Sequence, residues 1–85
     1  MRYSITWTPS ARAQLANLWI QATDRQEITD CADRIDRELS RDPENKGIEW
    51  LPYRAYFEDP LAVLFSVVPD DRRVWIYQVR RIVIE

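Results

Sequence analysis

No histidine occurs among the 85 residues, and Cys31 is the only cysteine. The usual zinc-ligand sets therefore cannot be assembled, an internal disulfide is impossible, and no mechanism can rest on a histidine base. Neither a metal nor a cofactor is expected. Cys31 falls within a helical apolar pattern, which makes it a small packing side chain rather than a reactive thiol. No apolar run approaches ~18 residues, and the opening MRYSITWTP lacks the hydrophobic stretch of a secretory leader, so the chain is expected in the cytoplasm without membrane contact. A strong charge of one sign is also missing: 12 Lys+Arg stand against 14 Asp+Glu, a net charge of −2. A domain that grips bare duplex by charge would usually be strongly basic.

Large side chains are what the sequence does have. Apolar residues make up 46% of the chain and include four Trp, four Tyr and two Phe. That suffices for one core without covalent staples, and a chain this short cannot bury two, so residues 1–85 are expected to form a single domain. Acidic residues predominate up to residue 45, whereas residues 46–85 are balanced and can present a local positive surface.

Tyr3, Ile5 and Trp7 alternate with Arg2, Ser4 and Thr6, the period of a strand with one buried face. Thr8-Pro9 ends it, with Thr8 suited to a helix N-cap and Pro9 to the first turn. Ala11, Leu15, Leu18, Trp19 and Ala22 form the apolar stripe of a first helix. Asp24 with Glu27 offers the next cap, and Ile28, Cys31, Ala32, Ile35 and Leu39 form the stripe of a second. Its other face, including Arg25, Asp30, Asp33, Arg34, Arg37, Glu38 and Arg41, reads as solvated. Asp42-Pro43 ends that helix, because a residue preceding proline is pushed out of the α region.

Three strands follow. Ile48 to Phe57 is rich in aromatics, with Pro52 restricting its start to an edge or bulge. Glu58-Asp59-Pro60 turns the chain into Leu61 to Val68, and Pro69 to Arg72 turns it again into Val74 to Val79. The near-continuous apolar runs suggest strands central in a sheet or covered on both faces. The expected fold is α+β, in the order β-α-α-β-β-β, with a helical hairpin on one face of a four-stranded, antiparallel-rich sheet. Two helices cover one face only. The other is left open and partly apolar, a place for a partner or a reaction.

ITWTPSARAQL, the second amphipathic helix and the hairpin LAVLFSVVPDDRRVWIYQV resemble, in order and length, the RelE/ParE superfamily of bacterial toxin–antitoxin toxins. The resemblance implies a toxin bound in the resting cell by an antitoxin. The activity it implies first is cleavage of mRNA on the ribosome (RelE-like), with poisoning of DNA gyrase (ParE-like) or a catalytically degenerate antitoxin-binding homologue as the alternatives.

Metal-free RNA cleavage by a ribose 2′-hydroxyl needs a proton acceptor, positive charge on the transition state and a donor for the departing oxygen. On the family's pattern Arg54 and Arg81 are catalytic candidates, with Tyr56 and Glu58 added as the nearby groups for proton transfer, and Arg54, Arg73, Arg80 and Arg81 are the candidate phosphate ligands. Trp50, Tyr53, Trp75 and Tyr77 are the antitoxin-binding candidates. Two family features are absent: Ala62 stands near the place of an expected Arg, and neither Tyr nor His follows Arg81. Each candidate also has a plain structural reading, such as Arg54 pairing with Glu49 or Glu58. Strict alternation from Val74 would put Arg80 at the rim of the core and Arg81 on the open face near Tyr77.

Overall fold

The computed structural model describes residues 2–82. Strand β1 (Ser4–Trp7) leads into helix α1 (Pro9–Gln21), whose start is fixed as the sequence suggests: the Thr8 hydroxyl accepts the Ala11 N–H at 3.2 Å, and Pro9 occupies the first turn. Helix α2 (Arg25–Leu39) buries Ile28, Cys31, Ile35 and Leu39, one residue per turn. Asp24 does precede it, yet its side chain makes no capping bond. Its carboxylate is used elsewhere.

The segment expected as one strand from Ile48 to Phe57 is two. Leu51-Pro52 forms a turn between β2 (Ile48–Trp50) and β3 (Tyr53–Glu58), since proline cannot donate to a ladder. β4 (Leu61–Val68) and β5 (Arg73–Arg81) complete a sheet of five strands, not four, in the order β1-β5-β4-β3-β2. β1 lies parallel to β5 and the other pairings are antiparallel. Glu58 belongs to β3 rather than to the turn after it. Gly47 is required where it stands: it has φ of +69°, and a Cβ there would collide with the carbonyl oxygen of Ala55.

α1 lies over β1 and β5, and α2 over β3 and β4. The core between helices and sheet joins Ala11 and the α2 stripe to Leu61, Val63, Phe65, Val74, Ile76 and Val79. Trp19, expected in the α1 stripe, stays 42% exposed. The apolar run of β4 did not mean cover on both faces: Leu61, Val63 and Phe65 are buried under the helices, whereas Ala62 and Leu64 point to the uncovered face and are only half-buried. No helix among the described residues is long and apolar enough to cross a membrane.

Candidate partner-binding face

β4 and β5 run in step from Val68 opposite Arg73 to Phe65 opposite Ile76, but Leu64 then faces Gln78. Tyr77 is the extra residue of a β-bulge, and the alternation of β5 restarts after it. Tyr77 turns to the open face, where its ring packs 4.9 Å from that of Tyr53 and its hydroxyl lies 3.0 Å from Ser66 Oγ. Val79 enters the core, Arg80 goes to the open face, and Arg81, opposite the buried Leu61, goes to the helix side. The expected assignment of the two arginines is thus reversed, because strict alternation does not survive an inserted residue.

Arg81 closes a two-pronged bond with Asp24, at 3.2 and 2.8 Å, tying the end of β5 to the link between the helices. This hydrogen bond holds the Asp24 carboxyl below its ordinary range. Past the bulge, the Val79 N–H has no β1 neighbour and donates instead to Gln14 Oε1 on α1 at 2.9 Å.

The four catalytic candidates lie on the helix side, and each is engaged. Arg54 donates to the carbonyls of Lys46 and Gly47 at 3.0 and 3.3 Å, bracing the loop before β2 rather than pairing with Glu49 or Glu58. Tyr56 donates to Glu58 Oε1 at 2.9 Å, and Glu58 Oε2 lies 3.5 Å from Arg34 Nε. Burial, reinforced by the Glu58 carboxylate, pushes the Tyr56 phenol up to about 12. It therefore stays protonated at neutral pH and cannot act there as a base. Arg54 faces Phe65 while Arg81 faces Leu61. At ~3.3 Å per residue along β4 their backbone positions lie at least ~13 Å apart, and the two guanidiniums are committed to different partners, the Lys46 and Gly47 carbonyls and the Asp24 carboxylate. Tyr56 and Glu58 are brought together; the two arginines are not.

The open face holds all four aromatic candidates. Trp50 stands opposite Tyr53 at one side, Tyr77 packs on Tyr53, and Trp75 lies under the Arg73 guanidinium at 5.5 Å. Arg73 also donates to the Thr6 hydroxyl at 2.7 Å. Sequence reasoning missed Ile48 and Phe57. Period-two counting from Tyr53 would have found Phe57, and Ile48 follows from its pairing with Ala55. These two and Trp50 are each more than half exposed: 51% for Ile48, 57% for Phe57 and 59% for Trp50. Between Trp50, Phe57, Ala62, Leu64, Gln78 and Arg80 lies a shallow pocket of about 380 Å³.

A second concavity, of about 660 Å³, opens between the helices and is lined by Trp7, Leu15, Trp19, Ile20, Ile28 and Asp36 among others. There Trp7 Nε1 donates to Asp36 at 2.8 Å, and burial raises the Asp36 carboxyl above its ordinary value. Arg25 stacks over Trp19 at 4.7 Å and donates to the last carbonyls of α1.

Solved structures with this architecture include chains of two toxin–antitoxin systems. A chain of the toxin–antitoxin complex RelBE2 from Mycobacterium tuberculosis matches with a TM-score of 0.77 at 17% identity, covering 96% of this chain and 93% of that one. A chain of the chromosomal ParDE toxin–antitoxin system from P. aeruginosa matches with a TM-score of 0.72 at 16% identity, covering 95% and 97%. The fold is RelE/ParE-like. No protein-family model matches the sequence, and no curated protein matches it either. At these identities the RelE/ParE-like likeness lies in the backbone path, and side-chain chemistry is read from this chain's own residues. Those residues leave one face of the RelE/ParE-like sheet uncovered, aromatic and bordered by Arg73 and Arg80.

Proposed function

We propose that this protein is the toxin of a type II toxin–antitoxin pair, acting in the cytoplasm and held inactive by an antitoxin that covers its open sheet face. The observation that carries this reading is the likeness, over nearly the whole of both chains, to chains of two separate toxin–antitoxin systems. The exposed aromatic face supplies the surface that such a partner needs.

Between the two activities implied by the resemblance, the internal engagement of Arg54, Tyr56, Glu58 and Arg81 favours a toxin that acts by binding, of the gyrase-inhibiting kind. Both Glu58 oxygens are occupied, the Tyr56 phenol is locked in its neutral form, and the arginines are divided between the two ends of the sheet. Cleavage of ribosome-bound mRNA is the second reading. It is favoured by the Tyr56–Glu58 contact, a donor and an acceptor at hydrogen-bonding distance.

Inducible expression without a partner tests the class: growth should stop. DNA supercoiling by purified gyrase should then fail at micromolar protein while message from the arrested cells stays intact. Unimpaired gyrase with cut message would replace the binding reading with the nuclease one.

A further inference from the structure

The pocket at the Trp50 side of the open face combines apolar walls with a single cation. Trp50 and Phe57 are each more than half exposed, and Ala62 and Leu64 line the same pocket. Arg80 stands at its rim. Among the described residues it makes no ion pair and no side-chain hydrogen bond, in contrast to Arg25, Arg34, Arg54, Arg73 and Arg81.

Charge is sorted between the faces. The strand positions that point to the open face carry Arg73 and Arg80 and, among the described residues, no carboxylate. Yet acids outnumber bases in the chain as a whole. The complement of this face is therefore anionic and apolar at once.

We propose that this pocket receives a large apolar side chain from an acidic segment of a partner protein, and that a neighbouring Asp or Glu of that segment pairs with Arg80. The inference deepens the partner half of the proposed function and rests on it, the partner there being the antitoxin. A volume of about 380 Å³ suits one large side chain with its flanking backbone. Single-stranded nucleic acid is the weaker occupant, because among the described strand positions only Arg73 and Arg80 face this way, the chain's net charge is −2, and affinity for a polyanion grows with the number of phosphates neutralised. A second copy of the same face would bring its own arginines against these.

Display of short random peptides, panned against the full chain, tests the pairing. Enriched sequences should carry a Leu, Ile, Phe or Trp within two positions of an Asp or Glu. A synthetic consensus peptide should bind roughly tenfold or more weakly to Arg80→Glu, the scale of one charge-assisted hydrogen bond. Changing the acid of the peptide to Lys should recover affinity for Arg80→Glu, and Phe57→Ala should weaken binding while Arg37→Glu, equal in charge change to Arg80→Glu, leaves it unaltered. Thermal melts of each variant separate lost binding from lost folding.

A neutral or basic consensus, no enrichment, or equal affinity for Arg80→Glu overturns the inference. So does a short oligouridylate that binds in an Arg80-dependent way and displaces the peptide. Growth arrest is read separately: peptides that bind as expected to a protein that cells tolerate would leave this surface standing and remove the toxin reading, and the converse result would do the reverse.

Discussion

The two phenylalanines of the chain lie on opposite faces of one sheet and form a natural pair of probes. Phe65 on β4 is 0% exposed beneath the helices, and Phe57 on β3 is 57% exposed on the uncovered side. Truncating a fully buried Phe to Ala costs ~3–5 kcal/mol, the lost transfer energy plus the cavity left behind. A domain of this length is stable by only ~4–13 kcal/mol at ~0.05–0.15 kcal/mol per residue, so Phe65→Ala removes a large share of it. At ~4–8 °C per kcal/mol for a small domain, the melting temperature should fall by roughly 10–40 °C. Phe57→Ala gives up less than half the burial of a core Phe and leaves no cavity, so its cost should stay below about 1 kcal/mol. Urea titrations followed by far-ultraviolet circular dichroism measure both. Comparable losses, or a larger one for Phe57→Ala, would refute the assignment of faces, and with it the placement of Trp50 and Arg80 beside Phe57.

Three further outcomes follow from buried or paired groups. Cys31 is fully buried, its S–H directed at the Glu58 carbonyl at 2.9 Å and its thiol pushed up by burial. It should ignore an aromatic disulfide reagent at mildly alkaline pH until denaturant is added, and fast labelling of native protein would contradict the packing. The Tyr56 phenol, raised from 10.0 to about 12, contributes stability that is complete below pH 10 and lost as pH climbs through about 12. Tyr56→Phe should therefore remove the last phenol to ionise in an ultraviolet pH titration, and an unchanged curve would refute this. Asp24 is depressed below 3.8 by the bond from Arg81, so its contribution is present above pH 3.8 and lost as pH falls through its lower folded value. Asp24→Asn should flatten the acid limb of stability against pH, whereas an unaltered acid limb would mean that the pair is not formed in solution.

The placement of Arg81 gives it a structural role. Its carboxylate partner sits at the link between α1 and α2, and both side chains are more than a third exposed, so water can compete for the bond. A guanidinium committed in this way joins elements of the fold. The exposed arginine beside the aromatic pocket is its neighbour, and adjacency in the sequence says nothing of the difference.

Local chemistry was legible in the sequence. Thr8-Pro9 fixed the start of α1 because a hydroxyl acceptor and a missing N–H suit a helix end whatever surrounds it. The spacing of Ile28, Cys31, Ile35 and Leu39 marked the buried side of α2, and the alternation of Tyr3, Ile5 and Trp7 through the start of β1 packs them against the core. The α+β order and the uncovered face followed from these patterns.

Tertiary structure decided what depends on the partner of a residue. Whether Ile48 to Phe57 makes one strand or a hairpin turns on Leu51-Pro52 meeting the edge of a sheet, and whether Asp24 caps a helix turns on the arrival of Arg81 from 57 residues away. Above all, the direction of Arg80 and Arg81 was set at Tyr77, where β5 takes one residue more than β4. A strand alternates by itself, but a bulge exists only between two strands. No count along one chain segment can therefore contain it, and the face that each arginine presents was settled by pairing rather than by sequence.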